Sequence, residues 1–331
     1  MALRRSATAG LSISLFALIG FGLFWWGWTG INGPGPAFED TRVVIPRGAG
    51  LEVIGSQLED AGVVPHRLFF VAGAVLTGRQ RPVRAGEYLF PAGASVRAVL
   101  DQMREGRVII RRITIPEGLS VAQAFELVAS AEGLTGPLPS LTAEGGLLPE
   151  TYNFSWGDSR AEVIARMIRA MEEAVADAWS KRAPNLPLTT PRDLVTLASI
   201  IEKETAVAAE RARVSAVFVN RLRKGMRMQS DPTVIYGITG GKAPLERALT
   251  RADLDRPTPY NSYTNSGLPP GPIANPGRAS LLAAAQPGNF DDLYFVADGA
   301  GGHAFAQTLE EHNRNVARWR RLQRDRAATP Q

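Results

Sequence analysis

The chain has 331 residues, of which 45% are hydrophobic and 21% charged; this suits a folded body of one large or two ordinary domains and excludes a disordered tail. A formal net charge of +5 fits nucleic acid, an anionic membrane or an acidic polymer equally, so charge alone selects no partner. The complete absence of cysteine excludes disulfides and cysteine-based zinc chemistry.

Arg4 and Arg5 are followed by no charged residue until Glu39. A bilayer-spanning helix needs roughly 20 apolar residues, and residues 10–31 supply them. Trp25, Trp26 and Trp28 crowd the far end, where indole rings favour the membrane interface, and the arginines hold the near end in the cytoplasm. The "GPGPA" before Phe38 offers a small-x-small cleavage site, but secretory signals have apolar cores of about 7 to 15 residues. This longer, tryptophan-ended run is therefore read as a retained anchor behind a cytoplasmic tail of residues 1–9. Both readings export the body, which removes nucleic acid as a partner.

"NGPGPAFED", within residues 32–40, is a Gly/Pro linker. Three segments then share one pattern of short β-branched strand, Pro-x-Gly turn and amphipathic helix: "RVVIPRGAGLEVIGSQLEDAG", "GEYLFPAGASVRAVLDQMREG" and "RRITIPEGLSVAQAFELVASAEG". Pro46, Pro91 and Pro116 end the strands, and Gly48, Gly93 and Gly118 supply the turns. Such units resemble the glycan-binding LysM module, as they do generic α+β packing. The expected class is α+β, with a LysM-like subdomain over 41–109 and a larger helical, loop-rich domain over 110–331.

In "TTPRDLVTLASIIEKET", Thr190 is placed as an N-cap, Pro191 as the first helical residue and Asp193 as its capping partner. At about 100° per residue, Leu194, Leu197, Ala198 and Ile201 share one face. Glu204 lands within about 20° of Leu197, Lys203 points the other way, and Glu202 falls at the border. A glutamate on the core-facing side loses water, and the negative helix end adds to the effect, so its pKa rises and it is poised as a general acid. Pattern alone also allows a solvated Glu-Lys-Glu patch.

A second helix follows in "AAERARVSAVFVNRLRKGM", with Val214, Val217, Phe218 and Leu222 inward and Gly225 as its stop. It delivers Asn220, a substrate-binding candidate, near the "MQSDPTVIYG" loop and leaves Arg221, Arg223 and Lys224 solvated. "QSDPTVIYG", "PTPYNSYTNSGLPPGPIANPG" and "LYFVADGAGGHAFAQT" read as a loop-rich surface of amides and aromatic rings, which suits sugars. His66, His303 and His312 lack ligand spacing, so no metal is expected; His303 is a minor candidate base. "EEHNRNVARWRRLQRDRAATPQ" reads as a basic amphipathic helix with Val316, Trp319 and Leu322 on one side.

Five stretches, "GGLLPETYNF", "LASIIEKETAVAAER", "VSAVFVNRLRKGMRMQSDPTVIYG", "YNSYTNSGLPPGPIANPG" and "LYFVADGAGGHAF", occur in the order in which they resemble the YceG-like family, the endolytic murein transglycosylases. The resemblance implies a single-pass inner-membrane protein with its body in the periplasm. It implies cleavage of nascent peptidoglycan strands between N-acetylmuramic acid and N-acetylglucosamine, with a 1,6-anhydro end and no cofactor.

The family's catalytic glutamate matches Glu204, with Glu202 in reserve. Gln229, Asp231 and Thr233 are expected to orient the acid or bond an acetamido group, Tyr260, Asn261 and Tyr263 to line sugar subsites, and Glu150 and Tyr152 to form an opposite wall. In a hydrolase, Asp231 or Glu150 would be the second carboxylate. Penicillin-binding synthases and division or elongation proteins are the implied partners. Two other readings are a non-catalytic glycan-binding scaffold, and a pyridoxal-phosphate lyase using Lys203 or Lys242. Export and the lack of a phosphate-cradling loop argue against the lyase.

Overall fold

The computed structural model describes residues 2–77 and 83–328, with side chains from residue 14 to residue 326. It is of mixed α and β type and divides into two compact units. The first comprises residues up to 111 with the short segments 133–135 and 153–158; the second holds the rest.

In the first unit, helix α1 (Ala2–Asn32) contains a stretch, Ser14–Asn32, that is long and apolar enough to cross a membrane. Strand β1 (Thr41–Ile45) leads to helices α2 (Leu51–Asp60) and α3 (Arg67–Leu76), then to β2 (Gly86–Phe90) and α4 (Val96–Glu105). β1 and β2 are antiparallel, Thr41 opposite Phe90 and Ile45 opposite Gly86. Ser95 caps α4 by accepting from the Ala98 amide, and Gly106 ends it in the left-handed conformation. The core joins Ile45, Leu58, Phe70, Tyr88, Phe90, Leu100 and Met103.

Helix α3 breaks the expected strand-turn-helix pattern, because a second helix follows α2 before β2 begins. Its sequence, "RLFFVAGAVL", carries apolar residues all round and so shows no one-faced periodicity from which a surface helix is read.

β3 (Ile110–Thr114) pairs with β4 (Thr151–Ser155) and α5 (Val121–Ser130) lies between them in sequence. The second unit holds the long helix α6 (Arg160–Ser180), α7 (Pro191–Glu204), α8 (Arg211–Arg223), α9 (Asp231–Thr239), α10 (Arg251–Asp255) and α11 (Arg278–Ala285). An antiparallel hairpin, β5 (Tyr294–Ala297) and β6 (His303–Ala306), precedes α12 (Leu309–Ala328). Val316, Trp319 and Leu322 are partly buried on α12, which packs on the hairpin.

α7 is the axis of this unit, packed by α6, α8, α9 and α11. Its start is the expected one: Thr190 Oγ1 accepts from the Asp193 amide, and Asp193 returns the bond to the Thr190 amide. Its burial is wider than one face, because every residue from Leu194 to Ile201 is buried. Two polar members of that run bond internally: Thr196 donates to the Arg192 carbonyl, and Ser199 to the Thr196 carbonyl while accepting from the Ile273 amide. A helix surrounded on all sides projects its last turn from inside the fold, and that turn carries Glu202, Lys203 and Glu204.

Candidate active site

Glu204 is the last residue of α7. It retains partial exposure, yet its carboxyl is crowded by packed atoms, and that burial pushes its pKa up to about 7. The Asp231 charge acts in the same direction, while the hydrogen bond from Ser230 and the charges of His303 and Arg221 oppose it. The negative end of α7 also disfavours the ionised form.

The Ser230 hydroxyl donates to Glu204 Oε1 (2.5 Å). Ser230 stands at the N-cap of α9 but makes no side-chain cap bond, so its hydroxyl serves the carboxyl instead of its own helix. It is seated by the residue before it. Gln229 has φ of 54°, a left-handed conformation unusual outside glycine, and its amide donates to the Ser262 carbonyl (3.2 Å). The Ser262 hydroxyl accepts from the Ser230 amide (2.9 Å) and shares a 2.7 Å bond with Thr233 Oγ1.

The expected loop at "QSDPTVIYG" is in fact helix α9. Ser230, then Asp231 and Pro232, gives an acidic first turn with proline at its start, and Gly240 closes the helix at φ 61°. Asp231 is exposed on that first turn and accepts from the Tyr263 hydroxyl (2.6 Å). Burial and that carboxylate raise the Tyr263 pKa, so the phenol keeps its proton.

Arg221 is a correction to the expected solvated face. It is buried, four residues past Val217 and seven past Val214 on the inward side of α8. Its guanidinium donates to the carbonyls of Leu293 (2.6 Å) and Met228 (2.7 Å) and to Gln229 Oε1 (3.3 Å), tying α8 to the approach of α9. A fixed cation is thereby placed near Glu204.

His303 contributes from β6, in a segment expected as loop but formed as a hairpin. Its Nδ1 lies 2.7 Å from Glu210 Oε2, its amide donates to Glu210 Oε1, and Thr205 Oγ1 reaches the same carboxylate at 3.4 Å. Phe295 and Phe305 border the imidazole.

Glu202 takes a different part. Its side chain accepts from the Gly277 amide (2.9 Å) and lies 3.7 Å from Arg211, which also faces Glu117 at 3.6 Å. These bonds tie α7 to the loop before α11 and to the start of α8. Lys203 is exposed and donates to the Gly118 carbonyl.

Other expected sugar ligands are committed to the fold. Asn261 is fully buried: its Nδ2 donates to the Leu254 and Arg256 carbonyls, and its Oδ1 accepts from the Tyr263 amide. Thr233 is equally buried between Ser230 and Ser262. Asn220 donates to the Phe290 and Asp292 carbonyls. Tyr260 is partly buried against Tyr236, with ring centroids 4.7 Å apart.

Glu150 and Tyr152 make no bond to the Glu204 cluster. Glu150 pairs with Arg278 (2.6 Å), and Tyr152 is buried and donates to the Leu148 carbonyl (2.7 Å). Gln229, Ser230, Asp231 and Tyr263 therefore gather around Glu204, with Arg221 and the His303–Glu210 pair behind. Ser230, Arg221 and Glu210 carry no sequence expectation as site residues.

The YceG-like family model matches residues 43–318. An endolytic murein transglycosylase of Bacillus subtilis is 31% identical over 315 residues, covering 84% of this chain and 86% of the relative. An endolytic murein transglycosylase of Streptococcus pneumoniae is 29% identical over 321 residues, and the match spans 83% of this chain but 57% of that longer protein. Among solved structures, a crystal structure of a yceG-like protein from Listeria monocytogenes aligns with a TM-score of 0.52 at 31% identity, covering 84% of this chain and 99% of that one. With most of its length matched in family, relatives and fold, this chain belongs to the YceG-like family.

Proposed function

We propose that the protein is a lytic transglycosylase that cuts nascent peptidoglycan strands endolytically, with Glu204 as its acid. The relatives named above as murein transglycosylases support the substrate class. The observation that carries the mechanism is one carboxyl at the end of a buried helix with its pKa raised to about 7, protonated in a large fraction of molecules at neutral pH.

In this reading Glu204 gives its proton to the bridging oxygen between N-acetylmuramic acid and N-acetylglucosamine. The C1–O bond breaks as oxocarbenium-like charge develops on the muramic sugar, and that sugar's C6 hydroxyl bonds to C1. The hydroxyl proton passes to the Glu204 carboxylate, which restores the acid and leaves a 1,6-anhydro end. Ser230 holds the carboxyl in one orientation and stabilises its ionised form between the two transfers. Burial does most to keep the resting carboxyl protonated, and the charge of Asp231, held by Tyr263, adds to it.

The same proposal takes α1 as a retained inner-membrane anchor with the body in the periplasm. It takes the β1–α4 segment as a LysM-like glycan contact, and penicillin-binding synthases with division or elongation proteins as partners that supply the strands.

The test is strand length. Uncrosslinked glycan strands incubated with the wild-type protein shorten, and with Glu204→Gln they keep their length while still binding. Equal shortening by both proteins would remove Glu204 from the mechanism, and binding without shortening by either would make the protein a glycan-binding scaffold.

A further inference from the structure

Helix α3 is unusual in its exposed surface. Phe70, Gly73 and Ala74 face the core of the first unit, yet the opposite face is also apolar: Leu68 is 59% and Leu76 77% exposed, with Ala72 and Val75 exposed between them. A helix that is apolar all round belongs inside a protein or against lipid, and this one is covered on one side only.

Its neighbour is the end of α1. The Trp26 and Phe69 rings meet edge-on with centroids 4.8 Å apart. Gly30 permits that approach, since a Cβ there would come within 2.4 Å of the Phe69 ring. α3 therefore lies beside the tryptophan-rich end of the apolar span, the part that an interfacial belt would occupy.

Between α1 and the α3–α4 pair is a cavity of about 790 Å³, lined by Leu23, Trp26, Ile31, Leu68, Ala72 and Leu76 among others. Arg97, Asp101, Arg104 and Glu105 also border it. Glu105 is already paired with Arg107 (2.6 Å). Arg104 spends one guanidinium nitrogen on the Ala74 carbonyl (3.1 Å), while its Nε is buried with no hydrogen-bond partner. The guanidinium groups of Arg97 and Arg104, which line the cavity, would give charge-assisted hydrogen bonds to an oxyanion there.

We infer that this groove is a phospholipid site. The acyl portion lies against α1 and α3, and the phosphate lies at the Arg97 and Arg104 guanidinium groups that border the cavity. The inference rests on the proposed membrane anchoring by α1 and is independent of the glycan chemistry. Its occupant is the surrounding bilayer, because the groove is continuous with the span itself and its apolar wall ends in a guanidinium. The consequence is that the first unit is seated on the membrane surface by α3, and is not tethered only through α1.

The absence of cysteine makes the test site-specific. Full-length protein carrying a single cysteine, labelled with a small fluorophore, is reconstituted in nanodiscs of phosphatidylcholine with or without brominated acyl chains. Leu76→Cys is expected to lose at least half of its emission to the brominated lipid, as Leu18→Cys within the span does, while Leu89→Cys on the outer face of β2 keeps its emission. Quenching at Leu18 without quenching at Leu76 would overturn the lipid site and leave the anchor intact. No quenching at Leu18 would overturn the anchor and the site together. A Leu76 label shielded from both bromolipid and aqueous iodide would assign the groove to a protein partner, against the inference. With Arg104→Gln, the phospholipid retained by the released protein in native mass spectrometry is expected to fall several-fold; unchanged retention would overturn the phosphate contact.

Discussion

Glu202 and Glu204 lie two positions apart on one helix, and their surroundings separate them. Glu202 accepts a backbone N–H and faces Arg211, so its loss should be structural. Glu202→Ala leaves the Gly277 amide without its acceptor and Arg211 with Glu117 alone, an expected cost of about 1–3 kcal/mol, read as a lower midpoint in denaturant with activity falling only as folding does. Glu204→Gln removes a proton donor, and strand cleavage is expected to drop by roughly 10²–10⁴-fold in protein that melts normally.

The pH dependence follows from the direction of the Glu204 shift. Its folded pKa of about 7 stands above the ordinary 4.5, so proton binding favours the fold fully below the ordinary value, and that contribution is lost as pH rises to about 7. Glutamine has no such loss. Melting temperatures of Glu204→Gln should therefore exceed those of the wild type by more near pH 8 than near pH 5; a constant difference would mean that the carboxyl is not raised. Activity should decline above about pH 7 as the acid ionises. Ser230→Ala removes a bond that favours the ionised form, so that decline should move to higher pH, measurable in a pH–rate profile.

At the scale of elements, α7 was the most legible part of the chain. Thr190, Pro191 and Asp193 mark its start with side-chain chemistry, and the spacing from Leu194 correctly turned Glu204 toward the packed side. Burial on every side from Leu194 to Ile201 is hidden in the sequence, because Thr196 and Ser199 read as polar until the carbonyls that satisfy them are seen. α9 reads as a loop although Ser230-Asp231-Pro232 is a helix start, since its Gly, Tyr and Thr residues mimic one. The β5–β6 hairpin reads as loop for a similar reason: alternation in "YFVA" is brief, and the glycines after Asp298 mask the turn that joins the strands. Asn261 shows the limit of residue type. An amide in a Tyr- and Asn-rich stretch suits sugars, but here it closes the stretch on itself. Asn261→Ala is expected to cost about 1–3 kcal/mol in urea unfolding, with little change in KM for strands when assayed under folding conditions; a raised KM at unchanged stability would return it to the subsite.

For the whole molecule, the family could be reached from five ordered motifs, whereas the placement of the side chains around Glu204 could not. Arg221 reads as solvated because three basic residues, Arg221, Arg223 and Lys224, stand close together, although its spacing from Val214 and Val217 puts it inward. Ser230 and Glu210 have no local signal, since their partners lie 26 and 93 residues away. The functional account accordingly rests on an arrangement that folding assembles from α7, α9, the Tyr263 loop and β6 around a single carboxyl.

Its central claim is that this carboxyl works with the sugar's own hydroxyl and without water as the acceptor. Mass spectrometry of the new strand ends, after incubation of uncrosslinked glycan with wild-type protein and with Glu204→Gln, tests it most directly. The account predicts 1,6-anhydromuramic ends, one water lighter than hydrolysis products, with the wild type and none with the variant. Reducing ends would contradict it, and would turn attention to Asp231 as the carboxylate that activates a water.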